Sequence, residues 1–292
     1  MNSVKVLLLC FFIYTCQSVN TEQKIIFQSL KFSLSFKLSP KIRLPKENRD
    51  SVIKNLLRNF KIDSINNNLN SKQQGIVYAV QSDSDTIIRL YLTLDLCDVG
   101  YDSLLINYLI DNTIPATFFV TSKWIKHQKK QLQTLLKHKQ LFDFQNHGWK
   151  HRPLSLCGYS KFNIKGTKNL QDLISEVENG AKSVEETFGN KVYFFRSGTA
   201  FCDAQSVLIV NALGYEIVNY SISLDSGGTI GLTSIVSRLK KAKNGNILLL
   251  HANKPQSSNF NAFKSFYEDV KSKHTNIRFE SLISMKNKLV KY

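Results

Sequence analysis

The sequence predicts an α/β protein whose parallel sheet closes, or nearly closes, into a barrel. From residue 75 onward, short apolar segments rich in Val, Ile, Phe and Tyr alternate with longer segments that repeat apolar residues at helical spacing. This alternation is typical of parallel βαβ units. The number of such units favours a (β/α) barrel over a short open sheet, although an open doubly wound sheet is the alternative.

The predicted strands are short, and they cover residues 76–80, 88–96, 115–121, 141–146, 192–196, 215–220, 246–250 and 277–281. The helical patterns lie between them, near residues 102–112, 124–138, 169–187, 203–213, 232–243 and 261–273. Most of these helices therefore connect two strands that we expect to run in the same direction.

The chain begins with the features of a secretory signal, which we assign to residues 1–18. Lys5 precedes an apolar run from Val6 to Cys16, and the small residue Ser18 suits the end of a leader. The run is too short for an ordinary membrane span, and a buried N-terminal strand or a short anchor is the alternative. We therefore expect a secreted or envelope-associated protein, without a transmembrane span once the signal is removed.

Residues 19–74 form a predicted N-terminal appendage and linker, ahead of a main domain at 75–292. Within the appendage, 24–38 partly alternates apolar and polar residues as an exposed strand does, and 47–60 has the pattern of a short amphipathic helix. The stretch 61–74 is polar and rich in Asn, which is typical of a linker.

The composition is strongly basic, with a formal net charge of +17 and lysines spread along the sequence. Such a surface attracts anionic partners, which for an exported protein are acidic wall or surface polymers, or lipid headgroups. No RNA- or DNA-binding motif is present, so we do not expect nucleic acid as a partner. Removal of the leader leaves Cys97, Cys157 and Cys202, which allow at most one disulfide and have no CxxC spacing.

Polar residues follow several predicted strands at their carboxyl ends. In parallel α/β folds these ends gather at one edge of the sheet, where the chemistry is found. Asp95, the segment 146–151, Arg196 and His251 lie at or directly after a strand, and Asp225 lies a few residues beyond one. We therefore expect these side chains to converge.

The segment 146–151, NHGWKH, carries the sharpest local signal. Its His147 and His151 have the spacing of two imidazoles on one helical turn, and imidazoles are common ligands of zinc-like metals. Pro153 prevents a long helix here, so we expect a tight turn. A zinc protease would need a Glu where Gly148 stands, which excludes that class. Two unrelated surface histidines are the alternative.

Asp95 ends an otherwise apolar strand, where an ionised carboxylate is rare unless it is paired or functional. A helix N-cap or a buried ion pair would be its ordinary structural use. Asp98 and Asp102 follow within a few residues and compete for a functional role. Asp102 precedes an apolar helical pattern and suits an N-cap equally well.

The other three candidates also have ordinary alternatives. His251 follows an apolar strand, where a satisfied core histidine is common. Arg196 has the geometry to orient a carboxylate through two hydrogen bonds, or it forms a surface ion pair. Asp225 either steers the protonation of His251 or shapes the Gly-rich turn that follows it. No GxSxG elbow and no P-loop is present, which excludes the usual serine hydrolases and nucleotide-binding proteins.

Taken in order, LTLDLCDVGYD, IPATFFVTSKWI, FQNHGWKHRPLS, YFFRSGTAFCD, SLDSGG and ILLLHANKP resemble the motifs of the polysaccharide deacetylase family with the NodB homology domain, the carbohydrate esterases of family 4. The resemblance covers about residues 88–285. It implies a distorted (β/α) barrel, here with a small N-terminal appendage, and the removal of N- or O-acetyl groups from polymers such as peptidoglycan, chitin or xylan.

The resemblance also implies a role for each candidate residue. Asp95 is similar to the general base, His251 to the general acid, and Arg196 and Asp225 to the residues that orient the base and tune the acid. His147 and His151 resemble the ligands of a divalent metal, which we expect to be Zn, with Co or Ni as alternatives. The metal and a backbone N–H near residues 193–196 would stabilise the oxyanion.

One position departs from the family pattern. The usual second Asp, a metal ligand, is replaced by Leu96, which cannot bind a metal. We predict Asp98 as the third ligand, with three alternatives: Asp102, Asp95, or a metal held weakly by only the two histidines and water. A catalytically silent carbohydrate- or wall-binding protein is therefore the second hypothesis, and a metal-dependent amide hydrolase of small molecules is the third.

Overall fold

The structure, a computed structural model, describes residues 46–59, 75–81 and 86–291. The predicted leader at 1–18, the predicted strand at 24–38 and the predicted linker at 61–74 lie outside these ranges. The helix predicted at 47–60 is observed as α1, Lys46–Asn59.

Within the described ranges, ten strands form one sheet. They are β1 (Ile76–Val80), β2 (Ile88–Leu96), β3 (Ala116–Val120), β4 (Phe142–Asn146), β5 (Phe194–Phe195), β6 (Glu216–Val218), β7 (Ile222–Ser223), β8 (Ile247–His251), β9 (Ile277–Phe279) and β10 (Leu289–Lys291). The order is β10-β1-β6-β5-β4-β3-β2-β8-β7, with β9 paired to β2. All of these pairs are parallel except β1 with β10.

The sheet is curled into a half-barrel, and β1 approaches the beginning of β8 across the opening. Ala79 and Asn246 form an isolated bridge there, and the N–H of Val80 donates to the carbonyl of Gly245 at 2.9 Å. The predicted α/β barrel is therefore observed in a distorted, nearly closed form.

The remaining helices lie between the strands as predicted: α2 (Ser103–Asp111), α3 (Ser122–His127), α4 (Lys129–Lys137), α5 (Leu170–Phe188), α6 (Ala204–Ala212), α7 (Leu232–Lys240) and α8 (Asn259–Ser272). The single helix predicted at 124–138 was wrong, because the backbone of Gln128 leaves the helical region at φ −111 and ψ 43. None of the described helices is long and apolar enough to cross a membrane.

Strand side chains alternate between two apolar clusters. Tyr91, Phe119, Phe194 and Ile247 belong to a cluster inside the half-barrel, whereas Leu96 belongs to the larger core beneath the helices. Alternate residues of a strand share a face. Asp95, Arg196 and His251 are separated from Tyr91, Phe194 and Ile247 by two or four positions, so they lie on the interior face at the carboxyl ends of the strands.

The helix α1 packs on the barrel although the sequence places it in the appendage. Leu56 is buried in the main core. Arg49 Nη1 contacts Glu178 Oε2 of α5 at 3.2 Å and the Tyr215 hydroxyl at 2.8 Å. The described part of the appendage is therefore joined to the barrel by both apolar and polar contacts.

Candidate metal and acid–base site

The predicted residues converge on the carboxyl edge of the sheet. Asp95 of β2 is in register with His251 of β8, and β3 and β4 continue the sheet from β2 to His147. Asn146 of β4 pairs with Phe195 of β5, which brings Arg196 to the same edge. Short parallel strands thus bring together side chains from distant parts of the sequence.

Asp95 and Arg196 form a buried ion pair. Arg196 Nη1 lies 2.7 Å from Asp95 Oδ1 and also donates to the Thr93 hydroxyl at 2.9 Å. The Nε and Nη2 groups of Arg196 donate to the carbonyls of Val218 and Asn219. Burial alone would raise the pKa of Asp95, but the charges of Arg196 and the nearby histidines lower it below its ordinary value. Asp95 is therefore held as a carboxylate in a fixed orientation.

His147 presents one ring nitrogen to the centre of the site. Its Nδ1 lies 2.9 Å from the carbonyl of Arg196, and a carbonyl can only accept a hydrogen bond. The proton of the neutral ring therefore lies on Nδ1, which leaves the Nε2 lone pair free for a metal. Nε2 lies 3.4 Å from Asp95 Oδ2 and 3.6 Å from Cys97 Sγ.

Cys97 completes a group of three possible metal ligands. Its Sγ and one ring nitrogen each of His147 and His151 all lie within 4.8 Å of one another. Burial alone would raise the pKa of the Cys97 thiol, but the three surrounding histidines, including His251, lower it well below its ordinary value. The lowered pKa of Cys97 favours the thiolate, the form in which cysteine binds metals.

The structure does not bring Asp98 into this group. Its carboxylate lies 2.5 Å from Lys123 Nζ and 3.6 Å from His127 Nδ1, on the partly exposed side of the loop. Asp102 caps α2 by accepting the N–H of Leu105 at 3.0 Å, as its structural alternative predicted. We therefore replace Asp98 by Cys97 as the candidate third ligand. Strand alternation explains this, because Cys97 comes two positions after Asp95.

Asp225 holds His251 with two hydrogen bonds. His251 Nδ1 lies 3.0 Å from Asp225 Oδ1, and the backbone N–H of His251 donates to Asp225 Oδ2 at 2.8 Å. Asn259 Nδ2 donates to the same Oδ2 at 2.8 Å. Burial alone would lower the pKa of His251, but Asp225 and then Cys97 raise it well above the ordinary value. Asp225 also accepts the N–H of Gly227, so it contacts both His251 and the turn that follows Asp225.

Glu176 of α5 shapes the turn that carries His151. Its Oε1 accepts the backbone N–H groups of Lys150 and Arg152 at 2.9 and 3.1 Å. His151, between them, has a left-handed φ of 60°. A Cβ on Gly148 would come within 2.4 Å of the same Oε1, so this position requires glycine. Glu176 and Asn259 were not predicted, because neither lies in a strand-end motif.

The predicted oxyanion donors at 193–196 are engaged elsewhere. The N–H groups of Tyr193 and Phe194 donate to Gln145 Oε1, and that of Arg196 donates to the carbonyl of Asn146. The next segment, Gly198–Ala200, packs directly on the histidine turn, since a Cβ on Gly198 would lie 2.2 Å from the carbonyl oxygen of His151. The expectation is therefore wrong for these three groups.

Comparison with known proteins gives one family match. Residues 83–218 match the family model described as polysaccharide deacetylase. No curated protein matches the chain.

Several solved structures are similar. A family 4 carbohydrate esterase from Bacillus anthracis is 22% identical, with a TM-score of 0.54, over 74% of this chain and 88% of that chain. PdaA of Bacillus subtilis, a family 4 carbohydrate esterase, is 20% identical, with a TM-score of 0.55, over 82% and 89%. A CE4 family pseudoenzyme from Bacillus anthracis is 14% identical, with a TM-score of 0.58, over 81% and 81%. At these identities the likeness concerns the fold, and it confirms the predicted fold class.

Proposed function

We propose that the chain is a metal-dependent hydrolase that removes acetyl groups from an extracellular or cell-wall polysaccharide. The match of residues 83–218 to the polysaccharide deacetylase family model, together with the fold, supports this proposal. One observation carries the proposal: His147 Nε2 lies within 3.6 Å of both Cys97 Sγ and the Asp95 carboxylate. A possible ligand set and a possible base thus share one buried centre.

Cys97, His147 and His151 would hold the cation. One thiolate and two imidazoles suit zinc, and three protein ligands leave a position for water or substrate. When bound, such a cation lowers the pKa of water and polarises a carbonyl. We propose Zn, with Co or Ni as alternatives.

Asp95 would accept the proton of the attacking water. The hydrogen bond and the charge of Arg196 keep the carboxylate ionised and oriented, so it is ready as a base near neutral pH. The guanidinium lies over the Phe119 ring at 4.0 Å, which limits its movement. Arg196 therefore acts through Asp95 rather than on the substrate.

His251 would protonate the departing amine or alkoxide. Asp225 stabilises the imidazolium and fixes the ring through Nδ1, so that Nε2 is left to deliver the proton. For the oxyanion, we propose the backbone N–H groups of Gly198 and Thr199. This segment adjoins His151, and Thr199 and Ala200 have left-handed φ values of 64° and 53°.

Acetate release by the metal-reconstituted protein tests the proposal. Metal-stripped protein, resupplied with Zn, Co or Ni, would be incubated with peptidoglycan, chitin oligomers and acetylxylan. We expect acetate from at least one polymer, and its loss together with the bound metal in His147→Ala. His138→Ala is the matched control, because His138 ends α4 away from the ligand group. No acetate with any metal and polymer would contradict the proposal.

A catalytically silent carbohydrate-binding protein is the second candidate. It is favoured by Leu96, which points into the core where the family pattern has a metal ligand. Metal content separates the two: near-stoichiometric metal in the wild type and none in His147→Ala supports the enzyme, whereas no metal in either protein supports the silent form. Export is part of the leading proposal and rests on the predicted signal at 1–18.

A further inference from the structure

The helices α3 and α4 carry a concentrated positive charge. Between residues 122 and 139 the sequence has six lysines and no Asp or Glu. Four of them, Lys123, Lys126, Lys129 and Lys130, are exposed and lie toward the beginning of this segment. We call these four residues the α3–α4 basic surface.

The α3–α4 basic surface adjoins the candidate site. Thr121, which caps α3, donates its hydroxyl proton to the carbonyl of Cys97 at 2.6 Å. The N–H of Ser122 donates to the carbonyl of Gly148 at 3.1 Å. The first turn of α3 is therefore bonded to both of the segments that carry the candidate ligands. Lys123 in this turn therefore lies beside the carboxyl edge of the sheet, and the other three lysines follow it along α3 and into α4.

Most of this charge is uncompensated. Lys123 pairs with Asp98, but Lys126, Lys129 and Lys130 form no ion pair with any residue that the structure describes. The neighbouring helix α5 is acidic, yet its carboxylates are used elsewhere. Asp172 pairs with Arg152, Glu178 with Arg49, and Glu186 with Lys182. The three free lysines are thus available to a partner in solution.

We propose that the α3–α4 basic surface binds a negatively charged glycan chain and leads it to the neighbouring site. Unpaired lysines attract polyanions at long range, and they hold a charged group without fixed geometry. Lys123 and Lys126 lie one turn apart on α3, and Lys129 and Lys130 begin α4, so the surface offers charge at more than one point along a chain. The proposal that this surface binds a glycan depends only on the charge and the position of these lysines. The further statement that the substrate polymer is anionic rests on the proposed function.

Binding of fluorescent polygalacturonate tests this surface without any reaction. We expect tight binding at low salt, and about tenfold weaker binding at 0.3 M NaCl because the charges are screened. Fluorescent dextran, which is uncharged, should bind weakly at both salt concentrations. A variant with Lys126→Gln, Lys129→Gln and Lys130→Gln should bind polygalacturonate at least about fivefold more weakly at low salt.

The control variant removes the same charge at the opposite edge of the sheet. Lys240→Gln, Lys241→Gln and Lys243→Gln neutralise three exposed lysines just before β8 begins. We expect this variant to bind polygalacturonate like the wild type. Equal weakening in both variants would overturn the proposal, because net charge alone would then explain binding. Equally tight binding of a DNA duplex of matched charge would overturn the preference for a glycan.

Acetate release separates this inference from the proposed function. On acetylated polygalacturonate, the α3–α4 variant should have a raised KM and an unchanged kcat, and on a neutral chitin oligomer it should match the wild type. Activity on the neutral oligomer without any binding of polygalacturonate would contradict the proposed glycan-binding surface and support the proposed deacetylase activity. Binding of polygalacturonate without acetate release from any polymer would support the surface and contradict the deacetylase activity.

Discussion

Asp95 and His251 are register partners on the adjacent parallel strands β2 and β8. Adjacent strands lie about 4.8 Å apart, so the proposed base and the proposed acid flank one small volume. Each has its own charged partner, Arg196 for Asp95 and Asp225 for His251. Arg196 keeps Asp95 deprotonated, whereas Asp225 keeps His251 protonated. A reaction in which one group accepts a proton and another donates one requires this combination.

Asp95→Asn removes the base while keeping the size of the side chain. We expect acetate release to fall at least about 100-fold, since a general base contributes that much or more. Metal content should not change, because the ligands are other residues. Arg196 would lose its only carboxylate contact among the described residues, so thermal unfolding of the variant must be measured beside activity. Full activity in a folded variant would remove Asp95 from this role.

Cys97→Ser tests the thiolate ligand. A serine hydroxyl remains protonated and binds zinc weakly, so we expect zinc affinity to fall at least about tenfold. Asp98→Ala is the control, because Asp98 pairs with Lys123 and His127 and not with His147 or His151. Competition with a chromogenic chelator measures both affinities. A loss of zinc in Asp98→Ala, with none in Cys97→Ser, would reinstate the ligand predicted from the sequence.

Asp225→Asn should change the pH dependence of acetate release. His251 must be protonated to act as the acid, so activity falls as pH rises through its pKa. Asp225 raises this pKa, and its neutralisation should move the alkaline limb of kcat/KM to lower pH. The loss of activity should therefore be larger at pH 9 than at pH 6. A uniform loss at all pH values would indicate that Asp225 only shapes the turn.

Glu176→Ala should disturb the turn that holds His151. The N–H groups of Lys150 and Arg152 would lose their buried acceptor, at a cost of about 1–3 kcal/mol in the free energy of unfolding. We also expect weaker zinc binding, because His151 would lose its fixed backbone. Glu178→Ala, two positions along α5, breaks only the half-buried ion pair with Arg49 and should bind zinc normally. Equal zinc affinity in both variants would indicate that Glu176 contributes to the stability of the protein but not to zinc binding.

Asp143→Asn should stabilise the protein at neutral pH. Burial raises the pKa of Asp143 to about 6, and Gln145 Nε2 donates to both of its oxygens. Because the folded state holds the proton more tightly than the unfolded chain, the contribution of Asp143 to stability is full below pH 4 and is lost as pH rises through 6. The variant should gain about 1–3 kcal/mol over the wild type at pH 7 and little at pH 4. Urea unfolding at both pH values measures the difference.

The sequence was sufficient for most of the fold, because the strands and helices of the barrel are strongly patterned. The strands β1 and β2 have the predicted bounds. The strands β7 and β10 were missed, since segments of two and three residues carry no periodic signal. The break at Gln128 was missed as well, because no Gly or Pro marks it and the apolar spacing continues through it.

The site was partly predictable because several of its residues end strongly patterned strands. Strand ends identified Asp95, Arg196 and His251 without their partners being known. Cys97 was overlooked because the family pattern drew attention to position 96, although alternation along β2 places residue 97 on the face of Asp95. Glu176 could not be predicted, since its contact with the turn joins residues 24 and 26 positions apart and depends on how α5 packs.

Gly198 touches the main chain of His151 so closely that hydrogen is the only substituent that fits. A methyl group there would push the segment 198–200 away from the histidine turn. We expect this to displace the imidazole of His151 from that of His147. The segment proposed to supply the oxyanion donors and the turn that carries the proposed ligand His151 are consequently in direct contact. A substitution at residue 198 is therefore expected to displace both of them together.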